Sequence, residues 1–343
     1  MFPISFGSDN HSGVHPAVMD SILKANQGYC PAYGDDPITQ EALARVRELF
    51  GGACEAWFVM SGTGANVIAL QSLISSWHAV ACPSSAHINV DECGAVQKFT
   101  QGRLQAIDTP DGKLTPELIA PRLYGNRDQH HSQFRVISIS QSTEYGSLYT
   151  PNEISTLADF AHQHDMYLHL DGARLANAAA ALNCSLAAIT SDVGADIVSF
   201  GGTKNGLLFG EAIISFRPEI NNAMRFYRKQ ASQLFSKMRF IGAQFIAYLE
   251  NELWRANALH ANRMCELLGE RLAELDQIAI TMPPVVNALF CILPQNITQP
   301  LMDKYHFYMW NEALNEVRLM CSFNTREEHI GEFVEDVTDL QQQ

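Results

Sequence analysis

Two apolar segments within residues 166–206 constrain the fold of this chain more than any other feature. Each is rich in β-forming residues and stops abruptly at polar ones: Asp171 and Arg174 follow the first, and Lys204 follows the second in a glycine-rich turn. The residues between them suffice for a helix and a return strand, so both ends are expected in one pocket. In open α/β sheets, binding sites lie at the carboxyl ends of the strands. The pattern therefore predicts a site that contains Asp171 and Lys204.

Pyridoxal phosphate (PLP) chemistry uses a lysine and a carboxylate in this arrangement. The lysine forms a Schiff base with the aldehyde, and the carboxylate pairs with the protonated pyridine nitrogen so that the ring accepts electrons. Lys204 suits the first role and Asp171 suits the second. The residues alone leave an ordinary alternative open, in which Asp171 pairs with Arg174 and Lys204 is a surface lysine in a glycine loop.

Composition excludes several classes of protein. The 343 residues are 47% hydrophobic and 17% charged, which is typical of a globular chain. A net charge of −14 argues against a nucleic-acid or anionic membrane partner. The chain has no apolar run long enough for a membrane span and no secretory signal at its start. Eight cysteines without paired spacing indicate free thiols in a reducing cytoplasm, and we predict no metal site.

Strands and helices alternate from about residue 55 to residue 216, which predicts a mostly parallel sheet with helices on both faces. The first strand runs into Ser61, Gly62 and Thr63 before a helix. Backbone N–H groups at a helix N-terminus favour an anion, so this loop is a candidate phosphate site. Elsewhere, Asp36 is expected to cap a helix, and Thr150 with Glu153 fits a capping box.

Three further polar residues are candidates for the same site. His87 follows a strand end, where its ring could stack on a planar cofactor or be an ordinary polar side chain. Glu144 follows another strand, and its ordinary role would be that of a structural partner. Tyr33 lies in a polar loop that is either a plain turn or a means of offering a tyrosine to a site.

The character of the sequence changes after residue 216. A largely helical region extends from Pro218 to about Leu275, and short apolar strands and a closing helix follow it. This pattern predicts a small α+β domain packed on the large one. We expect an N-terminal arm over residues 1–14, a large PLP-binding domain over 15–250 and a small C-terminal domain over 251–343.

Several segments together resemble a known family. They are FGSDNHSG, AYGDDP, SGTGAN, AHINVDECGA, HLDGAR, SFGGTKNG, KQASQLFSKMR and VRLMCSF, and they cover nearly the whole length in the family's order. The chain resembles the low-specificity L-threonine aldolases, which are PLP enzymes of the aspartate-aminotransferase fold, fold type I. The resemblance implies an α/β fold with a mostly parallel, seven-stranded type of sheet in the large domain and a small α+β domain.

The resemblance implies how the cofactor is held. Lys204 is the Schiff-base lysine, and Asp171 pairs with the pyridine nitrogen. Arg174 contacts the phenolic oxygen, and His87 stacks on the ring. The phosphate is held by the residues that match the family's small-residue loop and the position before the lysine, which are Gly62, Thr63 and Thr203.

The resemblance also implies substrate contacts. Ser8 and Arg318 bind the substrate carboxylate, since a guanidinium offers two parallel donors to it. Tyr33 and a basic residue near Lys237 or Arg239 reach into the neighbouring subunit's site. The protein is therefore expected to be a homo-oligomer, a dimer or tetramer, with shared active sites.

The expected reaction is retro-aldol cleavage of L-threonine, L-allo-threonine and related β-hydroxy-α-amino acids to glycine and an aldehyde. Many members have a histidine where this chain has Glu144, and this leaves the partner of the β-hydroxyl open. Our hypothesis makes His87 a stacking group and proton relay, whereas Glu144 tunes the diastereomer preference. Another PLP reaction on the same fold, such as β-elimination or transamination, is one alternative. A catalytically silent binding protein is another, although the intact Lys204, Asp171 and Arg318 argue against it.

Overall fold

A seven-stranded sheet forms the centre of the computed structural model, which describes residues 4–342. Its strands are β1 (Glu55–Val59), β2 (His78–Pro83), β3 (Arg103–Ile107), β4 (Gln133–Ser140), β5 (Tyr167–Gly172), β6 (Ile197–Gly201) and β7 (Glu211–Ser215). The strand order is β1-β7-β6-β5-β4-β2-β3. Only β7 runs antiparallel to its neighbours, β1 and β6. The prediction of a mostly parallel seven-stranded sheet is confirmed.

Helices cover both faces of this sheet. They are α1 (Pro16–Ala25), α2 (Pro37–Leu49), α3 (Gly62–Leu73), α4 (His87–Val90), α5 (Ala95–Thr100), α6 (Pro116–Ile119), α7 (Pro151–Gln163), α8 (Leu175–Ala181), α9 (Pro218–Gln230) and α10 (Arg239–Leu249). Every residue of β6 and β7 is buried, as expected for strands that are covered on both sides. The sheet is therefore the core that fixes the loops at its carboxyl edge.

Two predicted helix starts are confirmed by their hydrogen bonds. Asp36 caps α2, because its carboxylate accepts bonds from the backbone N–H and the hydroxyl of Thr39 at 2.8 and 2.7 Å. Thr150 and Glu153 form a reciprocal capping box at the start of α7. Each cap satisfies backbone donors that a helix N-terminus leaves without partners.

A second, four-stranded sheet follows in the last third of the chain. Its strands are β8 (Ala279–Met282), β9 (Ala288–Ile292), β10 (Tyr308–Asn311) and β11 (Glu316–Met320), in the antiparallel order β10-β11-β9-β8. The helices with it are α11 (Leu253–Ala273), α12 (Gln295–Tyr305) and α13 (Glu327–Gln341). The sequence predicted β8, β9, β11 and α13 but not β10 or α12. Helix α12 was not predicted because Pro300 lies inside it, and a proline in the sequence normally indicates the end of a helix.

The N-terminal arm packs on this second sheet and its helices. Ile4 and Phe6 belong to the same buried cluster as α11 and α13, and the ring of Phe6 lies 5.1 Å from that of Phe333. Residues 1–3 of the predicted arm lie outside the described residues. The predicted domain boundaries stay predictions. Across residues 4–342, every helix is too short or too polar to span a membrane. All eight cysteines are free.

Candidate functional site

A cavity of about 260 Å³ lies at the carboxyl ends of β5 and β6, where α3 begins. It is lined by Asn10, Met60, Ser61, Gly62, Thr63, Asn66, His87, Glu92, Glu144, Asp171, Ala173, Thr203, Lys204 and Glu211. The predicted residues of the cofactor site are thus brought together, with Arg174 beside the lining rather than in it. Ser8, Tyr33 and Arg318 do not line the cavity.

Lys204 lies in a short 3-10 turn, Thr203–Asn205, directly after β6. Its ammonium group makes no hydrogen bond or ion pair with any residue in the range 4–342. The strand before it needs glycine, because a Cβ at Gly201 would lie 2.4 Å from the carbonyl oxygen of Ala173. This close approach brings the end of β6 against the end of β5. The amine of Lys204 is therefore half-buried, faces the cavity and has no partner among residues 4–342.

Asp171 is the buried carboxylate opposite this amine in the lining. Its Oδ1 accepts a hydrogen bond from the backbone N–H of Ala173 at 3.0 Å, and its Oδ2 accepts one from Asn66 at 2.8 Å. Both carboxylate oxygens of Asp171 are therefore held in place by donors of the protein. The ordinary alternative, in which Asp171 pairs with Arg174, is wrong, because Arg174 forms its ion pair with Asp9.

Asp9 is a functional candidate that the sequence did not identify. It is almost completely buried, and Arg174 binds it through two parallel bonds, Nε to Oδ2 at 2.7 Å and Nη2 to Oδ1 at 3.0 Å. Asn287 donates a third bond to it at 3.1 Å. Burial alone would raise the pKa of Asp9, but the charges of Arg174 and Lys204 and these bonds outweigh burial and lower it. The arm is thereby fixed beside the cavity, with Asn10 in its lining.

His87 is bound by Glu92, a carboxylate that the sequence did not identify as functional. His87 Nδ1 lies 2.9 Å from Oε1 of Glu92, whose side chain is fully buried. This hydrogen bond is the main reason that the pKa of His87 is raised; the charges of Glu144 and Asp171 act in the same direction, against burial and Lys204. Glu144 lines the same cavity as His87 and is close enough for its charge to act on the imidazole.

The start of α3 forms the predicted anion-binding end of the cavity. Ser61 caps the helix, with its hydroxyl accepting from the backbone N–H of Gly64 at 3.2 Å. A Cβ at Gly62 would meet nothing within 4 Å, so the backbone there is open towards the cavity. Gln233 closes the other side of the loop, because its Oε1 accepts from the N–H of Met60 at 2.9 Å. The N-terminus of a twelve-residue helix thus faces free space beside Thr63.

Glu211 is another residue of the lining that the sequence did not identify. It begins β7, is buried, and accepts a hydrogen bond from the N–H of Gly202 at 2.8 Å. Burial raises its pKa to about 7, although bonds from Thr203 and Gly202 and the charge of Lys204 oppose the rise. Thr203 also accepts from the N–H of Gly210 at 3.1 Å. Its hydroxyl is therefore already bonded to the segment that leads into β7.

The predicted substrate residues lie beside the cavity rather than in its lining. Ser8 caps the turn Asp9–His11 by accepting from the N–H of Asn10 at 3.2 Å. Arg318, on β11, stacks 5.3 Å from the centre of the Trp310 ring, and its buried Nε has no partner within residues 4–342. Burial and the charge of Arg174 lower the pKa of Arg318. The Nε–H group of Arg318 is therefore available to donate a hydrogen bond to a ligand.

Tyr33 lies outside the cavity, in a separate surface depression with Arg228. Its side chain is 48% exposed, and Lys229 Nζ lies 5.2 Å from the centre of its ring. Lys237 is also exposed, and Arg239 donates to the carbonyl oxygen of Gly28 at 3.2 Å. Within one chain, Tyr33 does not reach the site that contains Lys204.

Comparison with known proteins agrees with this geometry. A sequence model of the beta-eliminating lyase family matches residues 5–295. A low-specificity L-threonine aldolase of Pseudomonas sp. (strain NCIMB 10558) is 38% identical over 97% of this chain and 96% of its own. The threonine aldolase of Leishmania major superposes with a TM-score of 0.93 at 30% identity, covering 98% of this chain and 99% of its own.

A more distant structure shows the fold. A variant aspartate aminotransferase of Thermus thermophilus superposes with a TM-score of 0.71 at 17% identity, covering 98% of this chain and 96% of its own. The predicted fold class is therefore confirmed. The sequence matches are long enough and similar enough to show the family as well as the fold. The chain belongs to the beta-eliminating lyase family, and it is a member of the low-specificity L-threonine aldolase family.

Proposed function

We propose that this protein is a PLP-dependent lyase that cleaves L-threonine, L-allo-threonine and related β-hydroxy-α-amino acids to glycine and an aldehyde. The observation that carries the proposal is the cavity in which Lys204, an amine without a protein partner, is opposed by the buried carboxylate of Asp171. The names of the relatives, low-specificity L-threonine aldolase and threonine aldolase, support the choice of substrate.

The residues of the cavity fit PLP. Lys204 would bind its aldehyde carbon, and Asp171 would pair with its pyridine nitrogen. The open backbone at Gly62 and the hydroxyl of Thr63, at the positive end of α3, would hold its phosphate. His87 would cover the ring. When bound, PLP supplies an electron sink for the pair left on the substrate Cα after the Cα–Cβ bond breaks.

The chain's own residues would bind the substrate and move its protons. Arg318, with its free Nε, and Ser8 would hold the substrate carboxylate and so orient the Cα–Cβ bond. A base takes the β-hydroxyl proton, the oxygen becomes a carbonyl, and the Cα–Cβ bond breaks to release the aldehyde. A proton delivered to Cα then gives glycine. His87 suits proton transfer because imidazole titrates near neutral pH, and Glu92 leaves its Nε2 available.

Glu144 is proposed to set the preference between L-threonine and L-allo-threonine. It lines the same cavity as His87 and replaces the histidine that many members carry. We expect Glu144→Gln to change the ratio of the two cleavage rates, because it removes a charge beside the β-hydroxyl. His87→Phe keeps a flat ring and removes the proton carrier, so it should slow both substrates by roughly 10²-fold while the ratio changes less.

Steady-state rates of both variants on both diastereomers check this expectation. The His87→Phe protein serves as the matched comparison, because His87 lines the same cavity. If Glu144→Gln leaves both rates and their ratio at wild-type values, Glu144 has no part in the reaction and is a structural partner only.

A homo-oligomer with shared active sites is also proposed, with Tyr33 acting in the neighbouring subunit. The support is that Tyr33 is exposed and remote from the cavity of its own chain, although it matches a family position at the site. Mixing an inactive Tyr33→Ala protein with an inactive Lys204→Ala protein should restore partial activity, because some hybrid sites regain both residues. Each variant mixed with itself is the control. Persistent inactivity after verified subunit exchange would exclude sharing.

An assay of all products tests the proposed reaction against its alternatives. The family also includes enzymes named for β-elimination, and such a reaction would release ammonia and a keto acid. Transamination would release a keto acid and leave the amino group on the cofactor. Retro-aldol cleavage releases an aldehyde and glycine. Incubation with L-threonine, L-allo-threonine and their D-isomers distinguishes these outcomes and gives the stereochemical range.

A further inference from the structure

A buried amide joins the two sides of the cavity. Asn66 Nδ2, on α3, donates one hydrogen bond to Asp171 Oδ2 at 2.8 Å and another to Glu92 Oε1 at 2.9 Å. Glu92 Oε1 in turn lies 2.9 Å from His87 Nδ1. An unbroken chain of hydrogen bonds therefore links His87, Glu92, Asn66 and Asp171.

This arrangement places two carboxylates on one nitrogen in a buried site. The two N–H bonds of one amide nitrogen therefore hold both side chains in place at once. The amide oxygen of Asn66 has no partner within residues 4–342. The bonds donated to the two carboxylates are therefore what orient this side chain.

Glu92 has a second effect, on the imidazole. A carboxylate only accepts hydrogen bonds, so His87 Nδ1 carries the proton and Nε2 is left for a substrate or water. The charged groups that face His87 are Glu92, Glu144, Asp171 and Lys204. Of these, only Glu92 is hydrogen-bonded to the ring.

We propose that Asn66 and Glu92 are positioning residues: Asn66 fixes the side chains of Asp171 and Glu92 next to each other, and Glu92 fixes the ring of His87 through Nδ1. The proposal rests on the proposed function for the roles of Asp171 and His87. The consequence is that the positions of His87 and Asp171 are coupled through one amide, so that a substitution at either end should affect the other.

The first half of the proposal is tested with Glu92→Gln, which preserves size and removes the charge. In the full-length protein, titration of the His87 imidazole by NMR, assigned with His87→Phe, should show its pKa falling below the wild-type value. The matched control is Asp91→Asn, the exposed neighbouring acid, which should leave His87 closer to wild type. We expect kcat to fall by roughly ten- to one hundredfold, the scale of losing a partner that orients a functional imidazole.

The second half is tested with Asn66→Leu, which removes both donors at similar volume. Binding of PLP should weaken by about tenfold or more, the scale of losing a hydrogen bond to a charged group. In the double variant Asn66→Leu/Glu92→Gln, only one carboxylate of the pair remains. The loss of PLP affinity should therefore be smaller than the product of the losses in the two single variants. If the leucine variant does not fold, Asn66→Ser, with one donor in place of two, takes its place.

Two results would overturn the proposal. One is a His87 titration that Glu92→Gln leaves unchanged. The other is strict additivity of the Asn66 and Glu92 variants in PLP affinity, since independent structural effects would add. The His87 titration needs no turnover. A protein that shows the titration shift and no aldolase activity would therefore support this link while contradicting the proposed function.

Discussion

Replacing Lys204 by alanine is expected to abolish both turnover and the visible absorbance of bound PLP. Lys204 follows β6 as a half-buried amine with no hydrogen bond or ion pair to residues 4–342, and no other lysine lines the cavity. If Lys204 attaches PLP covalently, as proposed, its removal should release the cofactor and stop the reaction. Absorbance spectra after dialysis, together with glycine formation from L-threonine, measure both effects.

The matched control is Lys24→Ala, which removes an exposed lysine on α1 far from the cavity lining. It should bind PLP and turn over like the wild type. Retained colour and near-normal turnover in Lys204→Ala would refute the assignment of Lys204.

Asp171→Asn is expected to leave PLP bound but to slow the reaction by roughly 10²-fold or more, the scale of losing a preorganised charge. The amide is nearly the same size, and its oxygen can still accept the bond from Asn66, at the loss of the bond that the backbone N–H of Ala173 donates to Oδ1. Packing should therefore survive, whereas an amide cannot stabilise a protonated pyridine nitrogen. Separate measurement of kcat and of the Kd for PLP distinguishes a loss of chemistry from a loss of binding.

A rate within about twofold of wild type would reject the pairing of Asp171 with the cofactor, because an interaction of that kind acts on the chemical step. Loss of PLP binding with an unchanged rate per bound cofactor would also contradict it. Asp91→Asn again serves as a control for removal of a nearby exposed acid.

The sequence predicted those parts of the fold and site that depend on local pattern. Asp171 lies at the end of the apolar strand β5 and Lys204 follows β6, and parallel strands bring their carboxyl ends to one edge of a sheet. The caps at Asp36 and Thr150 are also local signals, since each acts on a residue three positions later. For such features, the pattern of neighbouring residues is sufficient.

Partnerships between distant parts of the chain could not be predicted in the same way. The ion pair between Asp9 and Arg174 joins the arm to the end of β5, and no periodicity connects the two positions. The bond from Asn66 to Asp171 is of the same kind, because Asn66 reads at the level of sequence as one polar residue in an apolar helix. Glu92 was the exception: it lies five residues after His87, and that spacing was an available signal.

The measurement that tests the account most directly is the molar ratio of products formed from L-threonine by the PLP-loaded protein. We expect acetaldehyde and glycine in equal amounts, with neither ammonia nor a keto acid, and we expect neither product from Lys204→Ala. Ammonia with a keto acid, or glycine formation that persists without Lys204, would contradict the proposal that this cavity performs a retro-aldol cleavage on PLP held by Lys204.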